Sequence, residues 1–208
     1  MSSTLIRAAV VAAVLSVASF SSYAGLIING DFEANAIKPG SWTSLSSNRV
    51  DGWQGSNIEI WNAMNGVHAV SGNHFIELNA NGANQGPWSI FQSFATVTGQ
   101  EYQLDFYYRA RTKNKESFEV SLANVSQTLS DHTMQEWRHY TSSFTAIDSL
   151  TTLRFTSLTS GTYGNFLDAI QVSALPTVAA VSAPGTFAAF GMGLLALMAN
   201  RRQRKQQP

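Results

Sequence analysis

The chain has 208 residues, with 13 basic and 13 acidic side chains and no cysteine. The absence of cysteine excludes disulfide bonds, thiol nucleophiles and thiolate metal ligands. All 13 acidic residues lie within residues 31–168, together with only eight of the basic ones. This mildly acidic body has no basic patch for nucleic acid, and it suits neutral ligands or divalent cations better than polyanions.

The first 24 residues have the layout of a secretory signal peptide. Arg7 precedes an apolar run over residues 8–15, and Ser22-Tyr23-Ala24 places small residues three and one before a cleavage site at Gly25. An N-terminal core helix is the alternative, but the run is short and has no polar face. We therefore expect the mature protein to begin at Gly25 and to be exported.

Residues 25–173 are predicted to form one all-β domain. The clearest strand covers residues 102–111, where Tyr102, Leu104 and Phe106 alternate with polar residues. Such alternation places one face on a core and the other in water. Nine short strands separated by turn residues, with no amphipathic helix, predict a two-sheet sandwich. The predicted strands cover residues 26–29, 57–61, 74–79, 89–97, 102–111, 118–122, 137–145, 153–156 and 166–173.

The C-terminal residues are predicted to form a sorting tail after a small, apolar linker over residues 174–183. The tail covers residues 184–208, and its sorting motif is Ala183-Pro184-Gly185, where the linker meets the tail. An apolar helix over 187–199 follows, and then a basic cluster over 201–205. A helix of this length spans about 20 Å, against roughly 30 Å for a hydrocarbon core. A transient or processed membrane stop is therefore expected, with the basic end on the cytoplasmic side.

This tail resembles the PEP-CTERM sorting signal of Gram-negative bacteria that make extracellular polysaccharide. The matching motif reads Val181-Ser182-Ala183-Pro184-Gly185-Thr186, so the Glu-Pro core of the family motif is missing. The resemblance implies contact with the inner membrane and processing by an exosortase-type enzyme. The implied destination is the cell envelope, the cell surface or the extracellular matrix.

The body resembles the galactose-binding-domain-like jelly rolls, which include several carbohydrate-binding modules. Two terminal segments carry the match: Leu-Ile-Ile-Asn-Gly-Asp-Phe-Glu at 26–33 and Phe-Leu-Asp-Ala-Ile-Gln-Val at 166–172. The segments 52–53, 56–61 and 72–78 also match secreted members that carry such tails. The resemblance implies a jelly-roll sandwich of about eight to nine antiparallel strands that binds glycan or extracellular polysaccharide.

Asp168 is the first candidate for a metal ligand. It has the same parity as Ile170 and Val172, so we expect it to point toward the core, where a carboxylate must be paired, hydrogen-bonded or metal-bound. The resemblance implies a structural calcium ion held by Glu33 and Asp168, with Asp31 or backbone carbonyls completing six to eight oxygen ligands. The alternative is that neighbouring amides donate hydrogen bonds to Asp168.

Aromatic side chains are candidates for stacking on sugar rings. Trp61 is followed by Asn62, and Trp88 follows a loop rich in Asn and Gly, so these three are predicted ligand-binding residues. The alternative for any single tryptophan is a place in the core. Tyr107 and Arg109, on the polar face of the clearest strand, are predicted to form a flat binding platform, the alternative being an ordinary solvated face.

The sequence contains no established catalytic motif. The histidines lack metal-ligand spacing, and there is no G-x-S-x-G segment. We therefore expect a non-enzymatic glycan-binding protein. The alternatives are a structural matrix or biofilm protein without a small ligand, and a glycan hydrolase. A hydrolase would need two carboxylates, such as Glu59 and Glu77, to converge in one cleft.

Overall fold

The computed structural model describes residues 25–79, 88–112, 116–130, 134 and 136–176. The predicted signal peptide, the sorting motif Ala183-Pro184-Gly185 and the apolar segment 187–199 lie outside the described residues. Among those described, no helix has the length and apolarity that a membrane crossing requires. The sorting tail therefore stays a prediction.

Two antiparallel sheets pack face to face and confirm the all-β jelly-roll sandwich. In the described part of the chain the strands are β1 Ser41–Leu45, β2 Gln54–Gly55, β3 Ile58–Asn62, β4 His74–Glu77, β5 Ser89–Ala95, β6 Glu101–Ala110, β7 Phe118–Leu122, β8 Val125–Leu129, β9 Arg138–Thr145, β10 Leu150–Ser157 and β11 Asn165–Ala174. The six-stranded sheet has the order β1-β3-β4-β11-β6-β9, and the five-stranded sheet has the order β2-β5-β10-β7-β8.

Eight of the nine predicted strands correspond to observed strands, and three observed strands were not predicted. The polar edge strand β8 has no alternating apolar pattern, β2 has only two residues, and β1 pairs only with β3. The predicted strand 26–29 is wrong. In that segment the side chain of Gln92, rather than a neighbouring strand, holds the N–H and C=O of Ile28.

The space between the sheets is filled by aromatic and aliphatic side chains. Phe106 contacts Phe118 and Phe155 with ring centroids 6.1 and 5.1 Å away, and Trp53 stacks on Phe32 at 5.5 Å. All five of these rings are buried. Full burial of each phenylalanine contributes roughly 1.5–3 kcal/mol, so an apolar core of this kind stabilises the sandwich without disulfides.

Part of the outer face of the six-stranded sheet, the face away from the five-stranded sheet, is also covered. A second apolar cluster of Trp61, Val67, Phe75 and Phe166 lies there, with Met64, Ala69 and Trp137 packed against it. Since the segment after β3 supplies several of these residues, β3 and β4 are buried on both faces.

Strand β11 carries a β-bulge between Asp168 and Gln171, where Ala169 has a φ of 50°. The bulge adds one residue relative to β6 and so reverses the parity of side chains across it. Asp168 therefore pairs with Tyr107 and shares its outer face, while Ile170 belongs to the core. The prediction that Asp168 points to the same side as Ile170 and Val172 is wrong.

Candidate functional site

The N-terminal segment lies along β11. The N–H of Leu26 donates to the carbonyl of Val172, and the N–H of Ile170 donates to the carbonyl of Gly30, both at 2.9 Å. This arrangement brings the acidic residues near the start of the domain close to those near its end.

Asp168 is fully buried beneath the turn before β4. Its Oδ2 accepts N–H bonds from Val70 at 2.6 Å and Ser71 at 3.0 Å, and its Oδ1 accepts one from Ala169 at 2.6 Å. Burial raises the pKa of Asp168 to about 7; these bonds oppose the shift, and the nearby charge of Asp31 adds to it. The amide partners named as the alternative to calcium are therefore present.

Glu33 makes different contacts from those expected of a calcium ligand beside Asp168. Its Oε1 accepts the N–H groups of Asn73 and His74, both at 2.6 Å, and its Oε2 lies 3.2 Å from His74 Nδ1. The carboxylate also approaches Gly72 so closely that a Cβ at that position would have no room. Both carboxylate oxygens of Glu33 therefore already have partners at the start of β4.

The three predicted ligands, Asp31, Glu33 and Asp168, fit the expected calcium ion only in part. Asp31 lies near enough to Asp168 to raise its pKa, and it lines a hollow of about 340 Å³ together with Gly30 and Ala169. A cation would offset the repulsion between these two carboxylates. Glu33 does not fit, and the described residues contain no group of three or more histidines and carboxylates that could hold a metal. Calcium stays a prediction, with Asp31 and Asp168 as its protein carboxylates.

An ordered set of aromatic and polar side chains lies on the outer face of β6 and β9. The ring of Tyr107 stacks on His139, with centroids 4.8 Å apart and an interplanar angle of 22°. Asp105 Oδ1 lies 2.9 Å from His139 Nε2, and Asp105 Oδ2 accepts a bond from Gln103 Nε2 at 2.7 Å. We call this set, with Arg109 and Trp137, the platform.

Arg109 extends the platform along β6, and Trp137 extends it at the residue before β9. The Arg109 guanidinium lies 5.8 Å from the centroid of Trp137, and burial lowers the pKa of Arg109. No ion pair to Arg109 is formed by the residues that the structure describes, and its buried Nε has no hydrogen-bond partner there. The Trp137 indole donates to the carbonyl of His68 at 2.8 Å, which fixes the ring. The predicted pair Tyr107 and Arg109 thus lies on one face of the sheet.

Four platform residues were not predicted from the sequence. These are Gln103, Asp105, Trp137 and His139. Alternation in the clearest strand placed Gln103 and Asp105 on its polar face, but no such pattern was recognised for Trp137 and His139, and sequence alone does not show that β9 pairs with β6. Only this pairing places His139 beside Tyr107.

The predicted role of Trp61 as an exposed stacking residue is wrong. Trp61 is 1% exposed and packs on Phe75 at 6.1 Å. Trp42 stacks on it at 6.5 Å, and the guanidinium of Arg111 lies 4.8 Å from its centroid. Its indole N–H donates to Glu59 at 2.8 Å. No face of the ring is open to a sugar.

Asn62 and Trp88 also lie away from the platform. Asn62 is buried, donates to the carbonyl of Ile37 at 2.8 Å and lies 3.1 Å from His74 Nε2, so its amide has structural partners. Trp88 is half-buried just before β5 of the five-stranded sheet, and its indole donates to the carbonyl of Asn57 at 2.8 Å. The structure therefore does not bring the predicted tryptophans together with Tyr107.

Glu59 and Glu77 are cross-strand partners on the outer face, so the two carboxylates of the hydrolase alternative do lie together. Both side chains are buried. Arg111 Nη1 donates to Glu77 at 2.6 and 2.8 Å, and the N–H of Gly164 donates at 2.9 Å. Burial raises the pKa of Glu77 to about 8, although Arg111 and Gly164 oppose the shift. The pair is closed to a substrate in this arrangement.

No curated protein sequence matches this chain. Similar solved structures include a CBM4 structure, with 19% identity, a TM-score of 0.46, and coverage of 72% of this chain and 99% of that chain. TmCBM61 in complex with β-1,4-galactotriose has 13% identity, a TM-score of 0.47, and coverage of 73% and 99%. The CBM22-1 xylan-binding domain of Paenibacillus barcinonensis Xyn10C has 13% identity, a TM-score of 0.43, and coverage of 69% and 100%.

A protein-family model matches residues 25–173, which span most of the chain and include the described strands of the sandwich except the last residue of β11. The chain therefore belongs to the family described as "Protein of unknown function (DUF642)".

Proposed function

We propose that this protein is a non-catalytic glycan-binding module and that the platform on its six-stranded sheet is the binding surface. The observation that carries the proposal is the stacked Tyr107–His139 pair beside the hydrogen-bonded Asp105 and Gln103. A sugar ring presents an apolar C–H face together with hydroxyl groups at its edge. The platform offers an aromatic face next to polar groups that accept and donate hydrogen bonds.

The platform is held in place by contacts within the protein. Asp105 bonds to both Gln103 and His139, and Trp137 is held through His68. Each side chain immobilised on binding costs about 0.5–1.5 kcal/mol, so side chains that are already fixed favour affinity. From Gln103 to Arg109 the strand rises by roughly 20 Å, long enough to contact several consecutive sugar units.

The buried state of Glu59 and Glu77 supports binding without hydrolysis. A glycosidase needs one carboxyl group to reach the glycosidic oxygen and another to reach the anomeric carbon or a water. Here Glu59 accepts the indole N–H of Trp61, and Glu77 is held by Arg111 and Gly164. Through these contacts both buried carboxylates hold neighbouring groups of the protein in place.

A glycan array followed by titration calorimetry with the best polysaccharide tests the proposal on the mature protein. We expect Tyr107→Ala to weaken binding at least about tenfold, equivalent to about 1.4 kcal/mol, because it removes the stacking face. Phe91→Ala is the matched control, since Phe91 is a half-buried aromatic on the outer face of the other sheet, packed on Arg154 at 4.2 Å. An array without hits, or equal affinities for Tyr107→Ala and Phe91→Ala, would contradict the proposal.

We further propose that the module acts in the cell envelope or extracellular matrix after export. The support is the signal-peptide pattern of residues 1–24 and the tail of residues 184–208 with its basic end. Processing by an exosortase-type enzyme at Ala183-Pro184-Gly185 would release the domain from the inner membrane. Mass spectrometry of the mature C-terminus tests this step, and an intact Pro208 on protein outside the cell would contradict it.

A structural calcium ion is proposed between the N-terminal segment and β11. Asp31 and Asp168 would hold it, with backbone carbonyls supplying further oxygens, as calcium prefers. The support is the mutual repulsion of these two carboxylates beside a hollow lined by Gly30 and Ala169. When bound, the ion would stabilise the fold and take no part in ligand chemistry.

A further inference from the structure

We propose a second binding site, for a single neutral sugar residue, in a cleft at the ends of β6 and β10. The cleft has a volume of about 360 Å³, near the lower end of the roughly 300–1,000 Å³ typical of small-ligand pockets. It lies between Thr112 and Glu116 on one side and the loop that joins β10 to β11 on the other. Its lining includes Thr112, Glu116, Thr159, Ser160, Thr162 and Tyr163.

Glu116 supplies an unused acceptor in the wall of the cleft. The side chain is 1% exposed, and its Oε1 accepts bonds from the N–H and the hydroxyl of Thr112. Its Oε2 is buried and has no hydrogen-bond partner among the described residues. A buried acceptor left unsatisfied is costly, and a carboxylate can only accept. A ligand hydroxyl that donates to Oε2 would remove this cost.

Tyr163 supplies the stacking surface. Its side chain is 53% exposed, although its ring packs against the Arg111 guanidinium at 4.3 Å from the centroid. Arg111 is itself held by the carboxylate of Glu77. The ring is therefore supported on the protein side and open on the other, as stacking on the C–H face of a sugar requires.

The two walls of the cleft are tied together before any ligand binds. Asn79 Nδ2 donates to the carbonyls of Thr159 at 2.8 Å and Tyr163 at 3.3 Å. The N–H of Ser117, next to Glu116, donates to Thr159 Oγ1 at 2.9 Å. These bonds hold the loop before β11 against the start of β7, so the site is preorganised.

The charges in the cleft favour a neutral, hydroxylated ligand. Among the described residues that line the cleft, Glu116 is the one carboxylate, and the Arg111 guanidinium behind Tyr163 is held by two hydrogen bonds to Glu77. A divalent cation such as calcium would need six to eight oxygens, usually with more than one carboxylate. The other polar lining groups are hydroxyls of threonine and serine, which match the hydroxyl groups of a sugar.

Saturation-transfer NMR and calorimetry on the mature protein test the site, with glucose, galactose, mannose, xylose and N-acetylglucosamine as probes at millimolar concentration. We expect at least one sugar to bind. Glu116→Gln, which keeps the Thr112 contacts but turns an acceptor into a donor, should weaken it about tenfold. Tyr163→Ala should weaken it to a similar extent and leaves the buried groups in place. Glu119→Gln, the same charge change on the outer face of β7, should have no effect.

Tyr107→Ala distinguishes this site from the platform, since the monosaccharide binding that Glu116→Gln and Tyr163→Ala weaken should remain in this variant. Melting temperatures of all variants identify any loss of fold. The proposal is overturned if no probe binds, or if binding is unchanged in folded Glu116→Gln and Tyr163→Ala. It is equally overturned if calcium, but no sugar, gives a signal that Glu116→Gln removes. Failure of Tyr107→Ala to affect polysaccharide binding would count against the platform alone.

Discussion

Arg111 connects the buried carboxylates of the outer face to the exposed ring of Tyr163. Its guanidinium lies between Trp61 at 4.8 Å and Tyr163 at 4.3 Å while it pairs with Glu77. Removing the Arg111 guanidinium would take away the hydrogen bonds that oppose the rise in the pKa of Glu77. The Arg111 guanidinium therefore packs on the outer face of the sheet and also supports the Tyr163 ring of the proposed cleft.

The raised pKa of Glu77 predicts that stability falls between pH 4.5 and about 8. Burial raises the pKa from 4.5 to about 8, so within this window the folded protein retains a proton that the unfolded chain has lost. The stabilising contribution is therefore present below pH 4.5 and is lost as the pH rises, by up to about 1.4 kcal/mol per unit.

Urea unfolding at pH 5, 6, 7 and 8 measures this dependence. Glu77→Gln is neutral throughout, so its free energy of unfolding should vary less with pH than that of the wild type. Glu119→Gln, at a partly exposed position, should follow the wild type. Parallel curves for the wild type and Glu77→Gln would show that Arg111 keeps Glu77 ionised across the whole range.

Individual residues show where sequence patterns succeed and where they fail. Alternation in the clearest strand correctly predicted that Tyr107 and Arg109 share a face. The same reasoning failed at Asp168, because Ala169 adopts a φ of 50° without being a glycine or asparagine that would signal a bulge. Trp61 was misplaced because local spacing does not reveal that the segment after β3 folds back over the outer face and that Trp42 and Arg111 cover the ring.

At the scale of strands, β3 and β4 differ from the rest of the sandwich. Ile60 and Ile76 point into the main core, while Trp61 and Phe75 on the other face belong to the second cluster. Each strand has two consecutive apolar residues, Ile60-Trp61 in β3 and Phe75-Ile76 in β4, which place an apolar side chain on each face. The sequence therefore contained a sign of the second cluster, although not the identity of the segment that covers it.

The segment before β1 depends on one side chain from β5. Gln92 Oε1 accepts the N–H of Ile28 at 2.7 Å, and its Nε2 donates to the carbonyl of Ile28 at 3.0 Å. The segment bonds to β11 only through Leu26 and Gly30, the Gln92 amide holds Ile28 between them, and Asn29 has a φ of 53°, so residues 26–29 do not form a regular strand. No local signal in the sequence links Gln92 to Ile28, since 64 residues separate them.

Gln92→Leu should therefore destabilise the protein through this segment. The leucine has a similar size but removes both hydrogen bonds to Ile28, each of which contributes about 0.5–1.5 kcal/mol. We expect the free energy of unfolding in urea to fall by about 2 kcal/mol or more. Gln127→Leu on the exposed strand β8 is the control and should change it by less than about 0.5 kcal/mol. Equal effects would show that the Ile28 contacts are dispensable.

For the whole molecule, closure of the sandwich depends on contacts between its two ends. The N-terminal segment and β11 exchange backbone hydrogen bonds through Leu26 and Gly30, and Asp168 ties β11 to the turn before β4. With no cysteine in the chain, no disulfide reinforces this junction. The terminal motifs in the sequence predicted that the ends meet, whereas the partners of Glu33 and Asp168 depend on a turn whose path no local pattern specifies.

Removal of calcium tests this junction in the intact domain. An ion held by Asp31 and Asp168 and present at 100 times its Kd would stabilise the fold by about 2.7 kcal/mol, so EDTA should lower the Tm of residues 25–175 by roughly 5–10 °C. Calcium, but not magnesium, should restore it. Asp31→Asn should abolish the response to EDTA, whereas Asp51→Asn at an exposed position should retain it. A Tm that EDTA leaves unchanged in the wild type would mean that the amides of Val70, Ser71 and Ala169 satisfy Asp168 without an ion.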